Sequence, residues 1–320
     1  MSRRRSVDWT KARLILVWAS VITVSGVLAF AERVHTQAGQ NRGRQVSWPP
    51  ALSGPAPGEV EVLPVQGNVF MIAGAGGNIT VQAGDEGILI VDTGIASMSD
   101  KVWAAIQTIS TGKLRYVINT AYTLEHADHT GGNATIAAKG ETIPLRDRNY
   151  TGGPMGTFEY NRASVIAYLT VLHRMSAPTG QPAPTPKAAW PDNTYSTPLK
   201  RFYFNHEPVV IVHQPANTDG NSIVLFRKSD VLSTGDLLDL TGYPLIDLKA
   251  GGSIQAIVQG LNRLIDTTVP GEHASGGTLV VPGHGRIADH AEVAYYRDMM
   301  SIIRDRIQDM IRKGMTLNQV

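Results

Sequence analysis

The chain has 320 residues, 42% hydrophobic and 18% charged, which is an ordinary globular balance with room for one large domain or two small ones. It contains no cysteine, which excludes disulfides, thiolate metal ligands and lipoprotein attachment. The formal charge of +2 belongs to the N-terminus: five of the 29 basic residues lie in positions 1–31 against one of the 27 acids, and no basic stripe interleaved with aromatics follows, so nucleic acid is excluded as a partner.

Taken in chain order, Arg3 to Arg5 form a positive start, Leu14 to Ala31 an apolar run, and Ala29-Phe30-Ala31 a small-x-small cleavage pattern. Residues 1–31 therefore read as a signal peptide, and the expected location is periplasmic or secreted. A membrane partner enters only if this segment stays uncleaved, since the run is about long enough to span a bilayer. Residues 32–58 are a Pro/Gly-rich linker, with Trp48-Pro49-Pro50 and Gly54-Pro55-Ala56-Pro57-Gly58, and residues 59–320 form the folded domain. Short strands are predicted at 69–72 and 79–81, around the turn Gly74-Ala75-Gly76-Gly77, which does not match a dinucleotide fingerprint. Ile88-Leu89-Ile90-Val91 is continuously apolar, as in a strand buried on both faces, and ends at Asp92-Thr93-Gly94. A helix over 98–110 and a buried strand over 116–120 follow.

Where that strand ends, Leu124-Glu125-His126-Ala127-Asp128-His129 places two imidazoles and a carboxylate within four residues. Neutral imidazole nitrogen and carboxylate oxygen suit zinc, and less specifically iron or manganese. The competing reading is a polar loop that opens a helix, with Asp128 as its cap. Two later segments repeat the arrangement. Val231 to Gly235 is a strand that runs into Asp236, and Thr278 to Gly283 runs into His284. In a layered α/β sheet, strand ends are where side chains from distant sequence meet.

In this order, His126-Ala127-Asp128-His129, Gly235-Asp236 and Pro282-Gly283-His284-Gly285 resemble the motifs of the metallo-β-lactamase superfamily, over about residues 60–300. The resemblance implies an α/β fold of the αββα type, a sandwich of two mixed β-sheets flanked by helices, with the metal centre at one edge. It implies that Asp128, His129 and His284 ligate one metal, that Asp236 is shared between two metal positions, and that His126 belongs to the other. The full pattern has a histidine where Leu124 or Ala121 stands here, another at Asn217, and an aspartate at Asn221. Leucine and alanine cannot bind metal, and Asn217 offers a neutral amide oxygen at most. One site thus keeps four candidate ligands and the other keeps His126 and a share of Asp236. The expected cofactor is one Zn2+, with iron or manganese as alternatives, and Glu125 and His213 are near enough in sequence to substitute as ligands. The implied activity is that of a metal-dependent hydrolase that uses a metal-activated water, with Asp128 as the catalytic residue that orients it. The substrate class is a small-molecule ester, thioester, lactone or amide. The competing class is a non-catalytic, metal-stabilised binding protein.

Other features carry less. Asp92 at its strand end is a candidate to accept a hydrogen bond from a ligand histidine, or is a turn aspartate. Tyr243 and Asp247 are candidates to line the cleft. His173, His206, His273 and His290 show no metal spacing. The stretch 178–198 is too proline-rich for a helix or central strand. Apolar residues at Ile254, Ile257, Val258, Leu261, Leu264 and Ile265, and from Tyr295 to Ile311, recur at helical spacing and predict two core-packed helices, a dimer interface being the alternative use.

Overall fold

The computed structural model describes residues 54–123, 127–142, 161–177, 180–272 and 276–320. The expected signal segment, all but the last residues of the expected linker, and Leu124, Glu125, His126 and His273 lie outside them. No described helix is long and apolar enough to cross a membrane.

The described elements are β1 (Glu61–Gln66), β2 (Val69–Ala73), β3 (Ile79–Gly84), β4 (Gly87–Val91), α1 (Ser99–Ile109), β5 (Leu114–Ile118), α2 (Ala127–Thr130), α3 (Asn133–Ala137), β6 (Ser164–Tyr168), α4 (Leu169–Met175), β7 (Asn193–Tyr195), β8 (Leu199–Phe204), β9 (Glu207–His213), β10 (Ser222–Phe226), β11 (Val231–Asp239), α5 (Ile254–Thr267), β12 (Leu279–His284) and α6 (His290–Arg312). A seven-stranded sheet runs β1-β2-β3-β4-β5-β6-β7, and a five-stranded sheet runs β12-β11-β10-β9-β8. Both are mixed: β1 to β4 pair antiparallel and β4 to β7 parallel, while in the second sheet only β11 and β12 are parallel.

The side-chain alternation of β4 explains the layering. Ile88 and Ile90 pack with Val102 and Ile106 of α1, whereas Leu89 and Val91 face the other way, onto Val209, Ile211 and Val224 of the second sheet. That sheet in turn turns Leu232 and Val280 outward onto Ile257, Leu261 and Leu264 of α5 and Val293 and Met300 of α6. The result is helix, sheet, sheet, helix, the expected αββα sandwich. Both predicted C-terminal helices form, but only α5 packs its predicted face: α6 packs through Val293, Tyr296 and Met300 near its start, while Tyr295, Ile302, Ile307 and Ile311 of the predicted stripe are exposed. Among the described residues of the proline-rich stretch the one strand is β7, an edge strand of three residues.

At the end of the sandwich where β9 begins, Glu207 is buried and fully bonded. Its carboxylate accepts from Gln82 Nε2 on the facing sheet (2.7 Å), from Lys228 N (2.9 Å), and from Ser229 N (3.0 Å) and Oγ (2.9 Å). Glu207→Ala strands these donors in the interior and is expected to lower stability by about 2–4 kcal/mol in denaturant unfolding. A loss under about 0.5 kcal/mol would show that water replaces the carboxylate.

Candidate metal centre

At the opposite end, β4, β5, β11 and β12 bring their C-terminal portions together. His129, from α2, is fully buried at the centre. Its Nδ1 lies 2.8 Å from Asp92 Oδ2 and its Nε2 lies 2.8 Å from Asp236 Oδ1. Asp92 is held in turn. It follows β4 in the left-handed region, with φ of 65°, and accepts from Thr120 N (2.8 Å) and Thr120 Oγ1 (2.6 Å). A non-glycine residue there is uncommon and marks a position over-determined by its surroundings. A carboxylate that takes Nδ1–H leaves Nε2 as the ligand nitrogen, which is the orienting role that the sequence suggested for Asp92.

His284 closes the other side. Its Nε2 is 3.1 Å from Asp128 Oδ2 and 3.4 Å from Asp236 Oδ1, and its ring meets that of His129 edge-on at 5.4 Å. One ligand atom from each of Asp128, His129 and His284 lies within 4.8 Å of the others. The side chains of Asp128 and His284 are each 26% exposed while that of His129 is 0% exposed, so solvent reaches the cluster at Asp128 and His284 and not at His129.

The sequence placed Asp236 just beyond its strand, but it lies within β11. Gly235, at φ of 50°, pairs with Pro282 of β12, and the register shifts on both sides of it. Such a bulge re-aims the next side chain, here into the cluster. The glycine turn after β2 also belongs to the site. A Cβ on Gly77 would stand 2.5 Å from His129 Cε1, and Gly77 N donates to Asp128 O, so only glycine lets this turn lie against the imidazole. Next to it, Asn78 pins the His284 loop by donating from Nδ2 to Pro282 O (3.0 Å) and Gly285 O (2.8 Å). Sequence reasoning missed Gly77, Asn78 and Thr120 as supports. The run Gly74 to Asn78 was the signal for the first two, and the end of a strand that for Thr120.

The electrostatics follow from three carboxylates around two imidazoles. Burial works against a charge on His129, but the Asp236 and Asp92 carboxylates outweigh it and raise its pKa well above the ordinary value. Hydrogen bonds to Asp128 and then Asp236 raise His284 to about 9. Burial pushes Asp236 and Asp128 up, yet the imidazoles hold both below the usual carboxylate range. Two imidazole nitrogens and carboxylate oxygens, with no thiolate, form a donor set that fits a divalent ion such as zinc.

The other candidates separate. His213 stacks on Tyr168 at 3.5 Å, and its Nε2 donates to Asp219 O at 2.7 Å, so it does not join the cluster as a replacement ligand. His206 pairs with Asp85, His290 with Thr268 Oγ1, and His173 is exposed. The Asp247 side chain caps its own turn by accepting from Ala250 N, while Tyr243 is exposed.

An αββα sandwich with a histidine–aspartate cluster at one sheet edge is a metal-dependent hydrolase fold. The description of the metallo-β-lactamase superfamily matches residues 66–284, more than half of the chain, and the chain belongs to that superfamily, whose members bind metal ions. Solved structures with the same fold include a metallo-β-lactamase from Pontibacter korlensis (16% identity, 76% of this chain and 99% of that one, TM-score 0.54). A HARLDQ-motif mutant of a metallo-β-lactamase from Cronobacter sakazakii is similar at 16% identity over 79% of this chain and 99% of that one, TM-score 0.56. The stereoselective inverting sec-alkylsulfatase Pisa1 from Pseudomonas sp. is similar at 15% identity and TM-score 0.56, over 81% of this chain but only 44% of the sulfatase. No curated protein matches in sequence.

Proposed function

We propose that the chain is an exported hydrolase with a single zinc ion, held by Asp128, His129, His284 and Asp236. Its substrate is a small molecule with an ester, thioester, lactone or amide bond. The observation that carries this reading is the convergence of Asp128, His129 and His284 within 4.8 Å, with Asp236 Oδ1 in reach of both imidazoles. A divalent ion bound there lowers the pKa of a coordinated water towards about 7 and polarises a carbonyl oxygen. Asp128, on the solvent side, is placed to orient the attacking water and accept its proton. His129 is locked between Asp92 and Asp236 and supplies rigidity, while His284 borders the open side. His126 is assigned by resemblance to the other metal position, which Leu124 or Ala121 leaves incomplete. The signal pattern at 1–31 supports export.

The test is metal content per chain, by mass spectrometry, in mature protein purified without added metal. About one ion is expected in the parent and almost none in Asp128→Ala and His284→Ala, with turnover in an ester and lactone screen abolished by chelation. A parent without metal would sink the reading. Chelation that lowers the melting temperature of a chain inactive throughout the screen would favour the metal-stabilised binding protein.

A further inference from the structure

α6 is 23 residues long, about 34 Å, and only its first half meets the core. Its buried residues are Val293, Tyr296 and Met300, and Ile303 packs partly against the same cluster. The apolar face does not stop there. At steps of three and four residues it runs on from Met300 and Ile303 to Ile307, Met310 and Ile311, beyond the residues that pack on the core. Ile307 is 40% and Ile311 63% exposed, and Leu317, just after the helix, is 90% exposed. Tyr295 and Ile302 are also exposed, but helical geometry turns them away from this face.

The charges around the continued face are sorted by sign. At about 100° of turn per residue, Arg304 lies on one flank of the Ile307–Met310–Ile311 face, and Arg306 and Lys313 lie on the other. Asp298, Asp305 and Asp309, with Arg312 among them, lie on the opposite side of the helix. Arg306 forms no ion pair among the described residues. Arg304 pairs with Asp305 (2.8 Å) and Lys313 with Asp309 (2.6 Å), but these are surface pairs, which competing anions exchange readily.

That sorting selects among the surfaces that could cover the face. In a helix pair formed by two copies about a two-fold axis, flank meets flank. Over residues 297–313 both flanks carry cations and no acid, so a second copy would set like charges opposite each other. A layer of phospholipid phosphates is complementary to both flanks at once. The arginine and lysine stems then lie along the apolar face with their heads at the phosphates, while the acids face water.

We propose that the second half of α6 is an interfacial helix that rests Ile307, Met310 and Ile311 on an anionic phospholipid surface, with Arg304, Arg306 and Lys313 at its phosphates. The helix lies on the membrane and does not cross it, and the contact needs neither residues 1–31 nor the metal centre. Insertion of so few apolar side chains makes the binding weak and reversible, and the cations make it depend on salt.

The test is flotation of the mature chain, residues 32–320, with vesicles of phosphatidylglycerol and phosphatidylcholine or of phosphatidylcholine alone, at low and high salt. The parent should float with the anionic vesicles at low salt, and lose most of that binding at high salt or on phosphatidylcholine alone. Ile307→Ser with Ile311→Ser should weaken it about 5- to 20-fold. Arg304→Gln with Arg306→Gln should weaken it about 10- to 30-fold, at about fivefold per cation. Ile302→Ser, the same change off the face, should leave binding at the parental level. Thermal melts show that each variant folds, and light scattering without vesicles reads the oligomeric state. No flotation of the parent, equal flotation on phosphatidylcholine alone, or a loss in Ile302→Ser as large as in the double serine variant would overturn the proposal. A parent dimer that the double serine variant converts to monomer would also overturn it, and would make a second copy the occupant of this face.

Discussion

Replacing His129 by alanine is expected to lower the stability of the metal-free protein by about 3–5 kcal/mol, the largest effect of any single change at the centre. The imidazole is fully buried between Asp92 and Asp236, at 2.8 Å from each. Both carboxylates are nearly buried themselves, at 2% and 8% exposure, so its removal leaves two negative charges in the interior without the cation between them. His284→Ala is the natural comparison. That side chain is partly exposed, and water can replace it, so the variant should lose metal but keep most of its stability. Urea unfolding of the parent and both variants, stripped of metal at pH 7, measures the difference. If His129→Ala costs no more than His284→Ala, the Asp92–His129–Asp236 chain is not what holds this edge of the sandwich.

Zinc uptake is expected to release protons and to tighten as pH rises towards about 9. Hydrogen bonds to Asp128 and Asp236 raise His284 to about 9, and Asp236 and Asp92 overcome burial to raise His129 well above its ordinary value. Each imidazole must be neutral to ligate, so each proton displaced makes the apparent affinity rise by up to about tenfold per pH unit below the pKa concerned. The metal-free fold responds with the opposite sign. A histidine whose pKa is raised on folding stabilises the fold fully below its unfolded value, near 6.5, and this contribution is lost as pH climbs through 9. Alkaline pH should therefore lower the melting temperature of metal-free protein while it strengthens metal binding. Calorimetric titration with zinc at pH 7, in two buffers of different ionisation enthalpy, counts the protons. Heats that are independent of the buffer would mean that the imidazoles are already neutral.

Much of the fold was legible because burial leaves a local pattern. Ile88 to Val91 had to be apolar without interruption once β4 lay between a helix layer and a second sheet, and α5 had to repeat apolar residues at three and four. Strands with mixed signals were harder to see. β1 carries Pro64 and an irregular register at the sheet edge, where a missing N–H is tolerated, so its sequence does not read as a strand. At the centre, the residue types and order were enough to nominate Asp128, His129, Asp236 and His284, and to identify the superfamily.

The sequence by itself determined which donors exist, how many imidazoles are missing and which layers must form. Only the tertiary structure decided how those donors meet. Asp92 receives His129 because the ends of β4 and β5 lie side by side, Gly77 touches the imidazole because the turn after β2 folds over α2, and the Asn217 amide meets Asp236 because a loop from β9 is fastened beside β11. These contacts join segments tens of residues apart, and their geometry depends on close packing between strand ends rather than on any local preference. A sequence shows that Asn217 is not a histidine, but only the tertiary structure shows that its side chain lies beside Asp236.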